Sequence, residues 1–318
     1  MFNVIHANTL NAPPYLGFSG DTDQRRTELL RRKEIVQNFV KDLGRQAGVD
    51  SAKIDMLEVI PSEESFGFTE GEATFRNGHD VMILAPHCYL DLVKDFQIHT
   101  LEELDEKLKD PEWTKEVIQV VAEVMGHVFL EPTNALLEAF KPIFRLNVSY
   151  LLNDPEKAFN SDRSTILHEY GHIQNEDTSR CNIKSLFQFL GTFLFAMLVT
   201  FISLLFFDPI LDLVISNMTT SSLVTLAISL VVSMVATLFF VTNFVQKRKE
   251  VEADSFAASA LPGIEGEKVR QGAIYFFESI PRDEETCFSF FKRILTDPHP
   301  TDQERIEKFK HFEPAISK

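Results

Sequence analysis

The amino-acid sequence predicts a mainly helical α+β domain interrupted by a two-helix transmembrane hairpin. Three observations carry that expectation: helical periodicity over most of residues 1–160, a short β-hairpin signal at Asn77-Gly78, and two long apolar runs in the second half.

Asp23 to Gly44 reads as a charged amphipathic helix, because Leu29, Leu30, Ile35, Phe39, Val40 and Leu43 recur at helical spacing. Ile54 to Ile60 reads as a strand. Ala73 to Arg76 and Asp80 to Leu84, joined by Asn77-Gly78, read as a β-hairpin, since Asn and Gly tolerate the positive φ of a tight turn. Helices are expected over Tyr89 to Phe96, Leu101 to Leu108, Trp113 to His127 and Ala135 to Ile143. No internal repeat or low-complexity tract interrupts them.

Leu186 to Phe207 and Leu223 to Val245 are apolar on every face. As helices each reaches about 30 Å, the hydrocarbon thickness of a bilayer. A pair of buried helices in a soluble bundle is the competing reading. The connector carries Asp208, Pro209 and Asp212 but no Lys or Arg, whereas Arg180 and Lys184 precede the first run and Lys247, Arg248 and Lys249 follow the second. The charge asymmetry puts both outer ends, and both termini, on the cytosolic side. A hairpin also brings the residues just before the first run next to those just after the second.

Composition narrows the function. The 318 residues carry a formal net charge of −16, which repels phosphate backbones and excludes wholesale nucleic-acid binding. Cys88, Cys181 and Cys287 are odd in number and have no CxxC spacing, which fits a reducing compartment. The first residues hold no basic leader or apolar run of the kind a secretory signal needs, so the amino terminus is expected to stay cytosolic.

The chemistry concentrates in His168-Glu169-Tyr170-Gly171-His172, an HExxH motif with an N-cap expected at Ser161 or Asp162. Histidines at i and i+4 share one helical face and can bind one Zn²⁺, while Glu169 can serve as general base toward water. Two ordinary surface histidines would give the same bare pattern. A catalytic zinc site needs a third protein ligand, and the segment after the second run, Lys249 to Ala258, supplies carboxylates. Glu250 and Asp254 lie one turn apart on one face, so Glu250 can ligate while Asp254 supports the site by hydrogen bonds, and Glu252 points elsewhere. Alone, this acidic cluster would read as a solvated face balancing Lys247, Arg248 and Lys249. His6, His79, His87, His99, His127 and His311 lack metal-like spacing, and the three cysteines read as passive thiols.

HExxH, two spans and then a helix bearing Glu250-Val251-Glu252-Ala253-Asp254 together resemble the membrane zinc metallopeptidases of the HtpX and CAAX prenyl protease type. The resemblance extends to His299-Pro300 and Arg305-Ile306, similar to that family's late HPxxxxRI segment. It implies a gluzincin-type metallopeptidase domain holding one Zn²⁺ per chain on His168, His172 and Glu250, with Glu169 as base. It further implies that His299 approaches the substrate or oxyanion and that Arg305 is a site-supporting cation. The organisation expected is then an α+β cytosolic part over 1–160, the HExxH helix over 161–182, the hairpin over 183–245 and a carboxy-terminal part over 246–318. Two additional amino-terminal spans of some family members are missing, and Ser65-Phe66-Gly67-Phe68 only loosely matches the family's substrate-cleft strand. An extended peptide is expected to pair with a sheet edge somewhere in Phe66 to Leu84. Polypeptides, including membrane proteins, are the substrates implied, and the lipid bilayer is a partner. A catalytically inactive scaffold of the same fold is the alternative, and it would show a broken ligand set.

Overall fold

The computed structural model describes residues 22–62, 71–126, 132–178, 191, 194–195, 243–279 and 299–312. Two compact units are distinguished, one within Met1–Thr178, Glu252–Pro281 and Thr301–Lys318, the other within Ser179–Val251 and Arg282–Pro300. The expected spans 186–207 and 223–245 lie almost wholly outside the described residues, as do Ser65 to Phe68, His6 and His127. Among the described residues no helix is long and apolar enough to cross a membrane.

The first unit is mainly helical with a small sheet. Helix α1 (Thr22–Gln46) is followed by α2 (Ser51–Met56) and strands β1 (Glu58–Pro61), β2 (Glu72–Arg76) and β3 (His79–Leu84). After a 3-10 turn at Pro86–Tyr89 come α3 (Leu92–Asp95), α4 (Leu101–Lys107), α5 (Pro111–Met125), α6 (Asn134–Asn153) and α7 (Pro155–Gln174). The chain re-enters at Glu252 within α8, helical over 243–259, and continues with α9 (Gly263–Ser279) and α10 (Asp302–Lys310).

The hairpin forms where the sequence expects it, with Asn77 and Gly78 at φ of 51° and 90°. Strand order is β1-β3-β2, with β1 parallel and β2 antiparallel to β3. β3 is therefore central, and Val81 to Leu84 are buried.

Three expectations are corrected. Ile54 to Met56 are helical, not extended, because Asp50 accepts from the Ala52 N–H and caps α2, so the strand begins only at Glu58. Tyr89 to Phe96 is not one helix: Leu90 is extended (φ −122°, ψ 140°), and Asp91 restarts the chain as the cap of α3. The helix expected to stop at Ile143 runs on to Asn153 with Pro142 inside it, held by burial of Phe140, Phe144, Val148 and Leu151.

Two interactions lock the helices together. Phe144 and Trp113 pack edge-on against Phe96 at ring separations of 5.6 and 6.4 Å. Arg32, fully buried on α1, makes a bidentate pair with Asp95 at 2.6 and 2.9 Å and donates its Nε to Glu28 at 2.9 Å. Truncation of Asp95 to Ala removes the bidentate partner of a buried guanidinium. It is expected to lower unfolding free energy by about 3–5 kcal/mol, read by urea denaturation. A loss below about 1 kcal/mol contradicts this account.

Candidate metal centre

The site is built on α7, whose residues from Asn160 to Gly171 are almost all buried. Asp154 caps the helix by accepting from the Lys157 N–H, and Pro155 takes the first position, where a missing N–H costs nothing. Ser161 and Asp162 are consequently interior, buried helix residues, and the N-cap expected there is overturned. The Asp154-Pro155 pair was the readable start signal.

Burial of α7 fixes the motif's side chains. His168 is 9% exposed and Glu169 5%. His168 Nδ1 donates to Asp254 Oδ1 at 2.8 Å, which leaves its Nε2 as an acceptor. His172 Nε2 stands 3.2 Å from that Nε2, with the two rings edge-on at 82°. A tetrahedral zinc ion with bonds of about 2.0–2.1 Å separates two nitrogens by roughly 3.3–3.4 Å, so the pair fits a shared ion.

Asp254 on α8 is almost fully buried. Arg305 donates to both its oxygens, from Nε at 2.9 Å and from Nη2, and its guanidinium lies 4.4 Å above the Phe277 ring. Burial alone would push the Asp254 carboxyl up, but the His168 hydrogen bond and the Arg305 charge outweigh it and hold the group below the usual aspartate range. Arg305 is aimed by α10, which starts in a capping box: Thr301 Oγ1 accepts from the Glu304 N–H while the Glu304 carboxylate accepts from the Thr301 N–H.

Two glycines permit this approach and were not singled out from sequence. A Cβ on Gly171 would stand 2.7 Å from the Ala253 Cα, so only glycine lets α8 pass close enough for Asp254 to reach His168. A Cβ on Gly71 would stand 2.9 Å from Glu169 Cγ and 2.8 Å from Thr165 Cγ2, which puts the entry to β2 directly against the motif glutamate.

In the second unit, Glu250 is partly buried and its Oε2 lies 3.6 Å from Nε2 of His299, a side chain 52% exposed. Glu250 and Asp254 belong to the continuous helix α8, and Glu252 is exposed as expected.

The Asp254 carboxylate yields a prediction with a definite sign. Because its folded-state pKa is depressed, its contribution to stability is complete above the unfolded aspartate value of about 3.9 and is lost as pH falls through the folded value. Asp254→Asn is expected to lower stability by about 1.5–3 kcal/mol at neutral pH, measured by urea denaturation with chelator present. That deficit should shrink below about pH 4. A deficit that grows on acidification contradicts the assignment.

Comparison with curated proteins and with solved structures returns no match. Residues 158–313 match the family model for Peptidase family M48, a span that takes in the HExxH helix, α8 and the Arg305 helix. By this match the motif-bearing segment of the chain is similar to peptidase family M48, a family of metallopeptidases.

Proposed function

We propose that the chain is a membrane-anchored zinc metalloendopeptidase that hydrolyses peptide bonds in polypeptide substrates. The observation that carries the reading is the facing pair of Nε2 atoms on His168 and His172, with the first ring fixed from behind by the buried Asp254–Arg305 pair. Two neutral imidazoles held this way suit one zinc ion, and second-layer carboxylate support of that kind sets tautomer and ligand basicity.

Glu250 is the proposed third ligand. It precedes Asp254 by one turn of α8 on the same face, where side chains are about 5–6 Å apart, so the helix that delivers Asp254 to His168 carries Glu250 with it. When bound, zinc supplies a Lewis acid that polarises the scissile carbonyl and makes water nucleophilic near neutral pH. Glu169, adjacent to His168 and shielded from solvent, takes the water's proton and returns it to the leaving amine. His299, beside Glu250, donates to the developing oxyanion. Arg305 and Asp254 position His168 and do not touch substrate.

The expected substrate edge over Phe66 to Leu84 narrows to β2, because β3 is the central strand. The Phe75 N–H is already taken by the Thr178 carbonyl, so an incoming strand would pair ahead of it, near Gly71 to Thr74 and therefore beside Glu169. Anchoring rests on the apolar runs 186–207 and 223–245 and on the cationic residues flanking them, which orient the active site to the cytosol. Substrates drawn from membrane proteins, as in quality control, follow from that placement.

The test is cleavage of an unstructured casein-like substrate by the detergent-solubilised chain, with zinc measured on the same samples. Activity is expected to disappear on chelation and return with zinc. Glu169→Ala is expected to lose at least about a hundredfold in rate while keeping zinc, whereas Glu250→Ala loses both. Retained cleavage in Glu169→Ala contradicts the mechanism, and zinc without cleavage in the intact chain favours the scaffold alternative.

A further inference from the structure

We propose that His87, Cys88 and Asp162 form a second, structural metal site that takes a zinc-class divalent ion. The site is separate from the HExxH centre and does not depend on the peptidase reading. The 3-10 turn after β3 turns His87 and Cys88 toward α7, where Asp162 waits inside the helix. Asp162 Oδ1 lies 3.1 Å from His87 Nε2, and Cys88 Sγ lies 3.7 Å from the same nitrogen. One ligand atom from each residue falls within 4.8 Å of the other two. A tetrahedral zinc ion with bonds of about 2.0 Å to N and O and 2.3 Å to S holds such atom pairs roughly 3.3–3.6 Å apart, close to the two distances from His87 Nε2.

Burial points the same way. His87, Cys88 and Asp162 are 5%, 5% and 3% exposed. Asp162 Oδ2 is buried without a hydrogen-bond partner. A buried acceptor in that position is costly unless it meets a donor or a metal ion. A small, largely apolar cavity adjoins the three donors, lined further by Leu84, Ala85, Thr165 and Ile166.

A nucleophilic Cys-His-Asp relay is the competing arrangement, and the geometry argues against it. A relay uses opposite ring nitrogens, one toward the nucleophile and one toward the carboxylate. Here thiol and carboxylate both approach Nε2, as ligands around one ion do. In the metal-free state a proton on Nε2 bridges to Asp162. Metal binding displaces the imidazole Nε2 proton and the thiol proton, and both are released to solvent. The bound ion would staple the end of β3 to α7, the helix that carries His168, Glu169 and His172.

The test is zinc content and zinc-edge X-ray absorption on the full chain. The HExxH centre offers only nitrogen and oxygen, so a sulfur shell near 2.3 Å reports the second site alone. Two zinc ions per chain with a sulfur shell are expected. Cys88→Ser should lose the shell and one zinc, His168→Ala/His172→Ala should lose one zinc and keep the shell, and Cys181→Ser/Cys287→Ser should keep both. Absence of the sulfur shell from the intact chain overturns the proposal, as does its persistence in Cys88→Ser or its loss in Cys181→Ser/Cys287→Ser. Because the intact chain and the Cys181→Ser/Cys287→Ser variant report the shell directly, misfolding of Cys88→Ser would leave the decision standing.

Discussion

The hydrogen bond from His168 Nδ1 to Asp254 is the constraint on which the rest of the candidate metal centre depends. It fixes the tautomer and so aims an acceptor nitrogen at His172. A carboxylate this deeply buried could not stay ionised alone. Arg305 supplies the compensating charge, and the Phe277 face takes up the guanidinium's flat side. Three separate helices, α7, α8 and α10, are thereby committed to one arrangement.

The cost of that arrangement is close packing. α7 is enclosed along most of its length, so its motif histidine and glutamate have little rotameric choice. Gly171 and Gly71 are two positions where a side chain would intrude, one between α7 and α8, the other between the entry to β2 and Glu169, and Gly272 against Asn160 and Gly44 against Tyr170 are two more. Tyr170 turns the opposite way and donates to the Val40 carbonyl on α1 at 2.9 Å, which ties the motif helix to the helical layer behind it. Changes that loosen α7 therefore act on the candidate ligands as well as on the core.

Much of this was legible in the sequence because it depends on local spacing. The i, i+4 pair of His168 and His172, the one-turn offset of Glu250 and Asp254, and the Asn77-Gly78 hairpin are short-range patterns that periodicity reads directly. What escaped depends on contacts between distant segments or on competing caps. Asp50 and Asp91 each start a helix where hydrophobic runs suggested one continuous element, and Asp154-Pro155 starts α7 a full turn or more before Ser161. The buried Arg32–Asp95 pair joins residues 63 positions apart, and His87 meets Asp162 across 75, separations at which no spacing rule applies. The apolar runs 186–207 and 223–245 are the reverse case: composition alone makes them legible, and the described residues do not include them beyond a few positions.

The central claim is that two imidazoles and the Glu250 carboxylate hold one zinc ion. Anomalous diffraction at the zinc edge from crystals of the intact chain tests it directly. The account predicts a peak bonded to His168 Nε2, His172 Nε2 and a Glu250 oxygen at about 2.0–2.2 Å. A zinc-loaded crystal with no peak between the two histidines, or with Glu250 turned away from it, would contradict it.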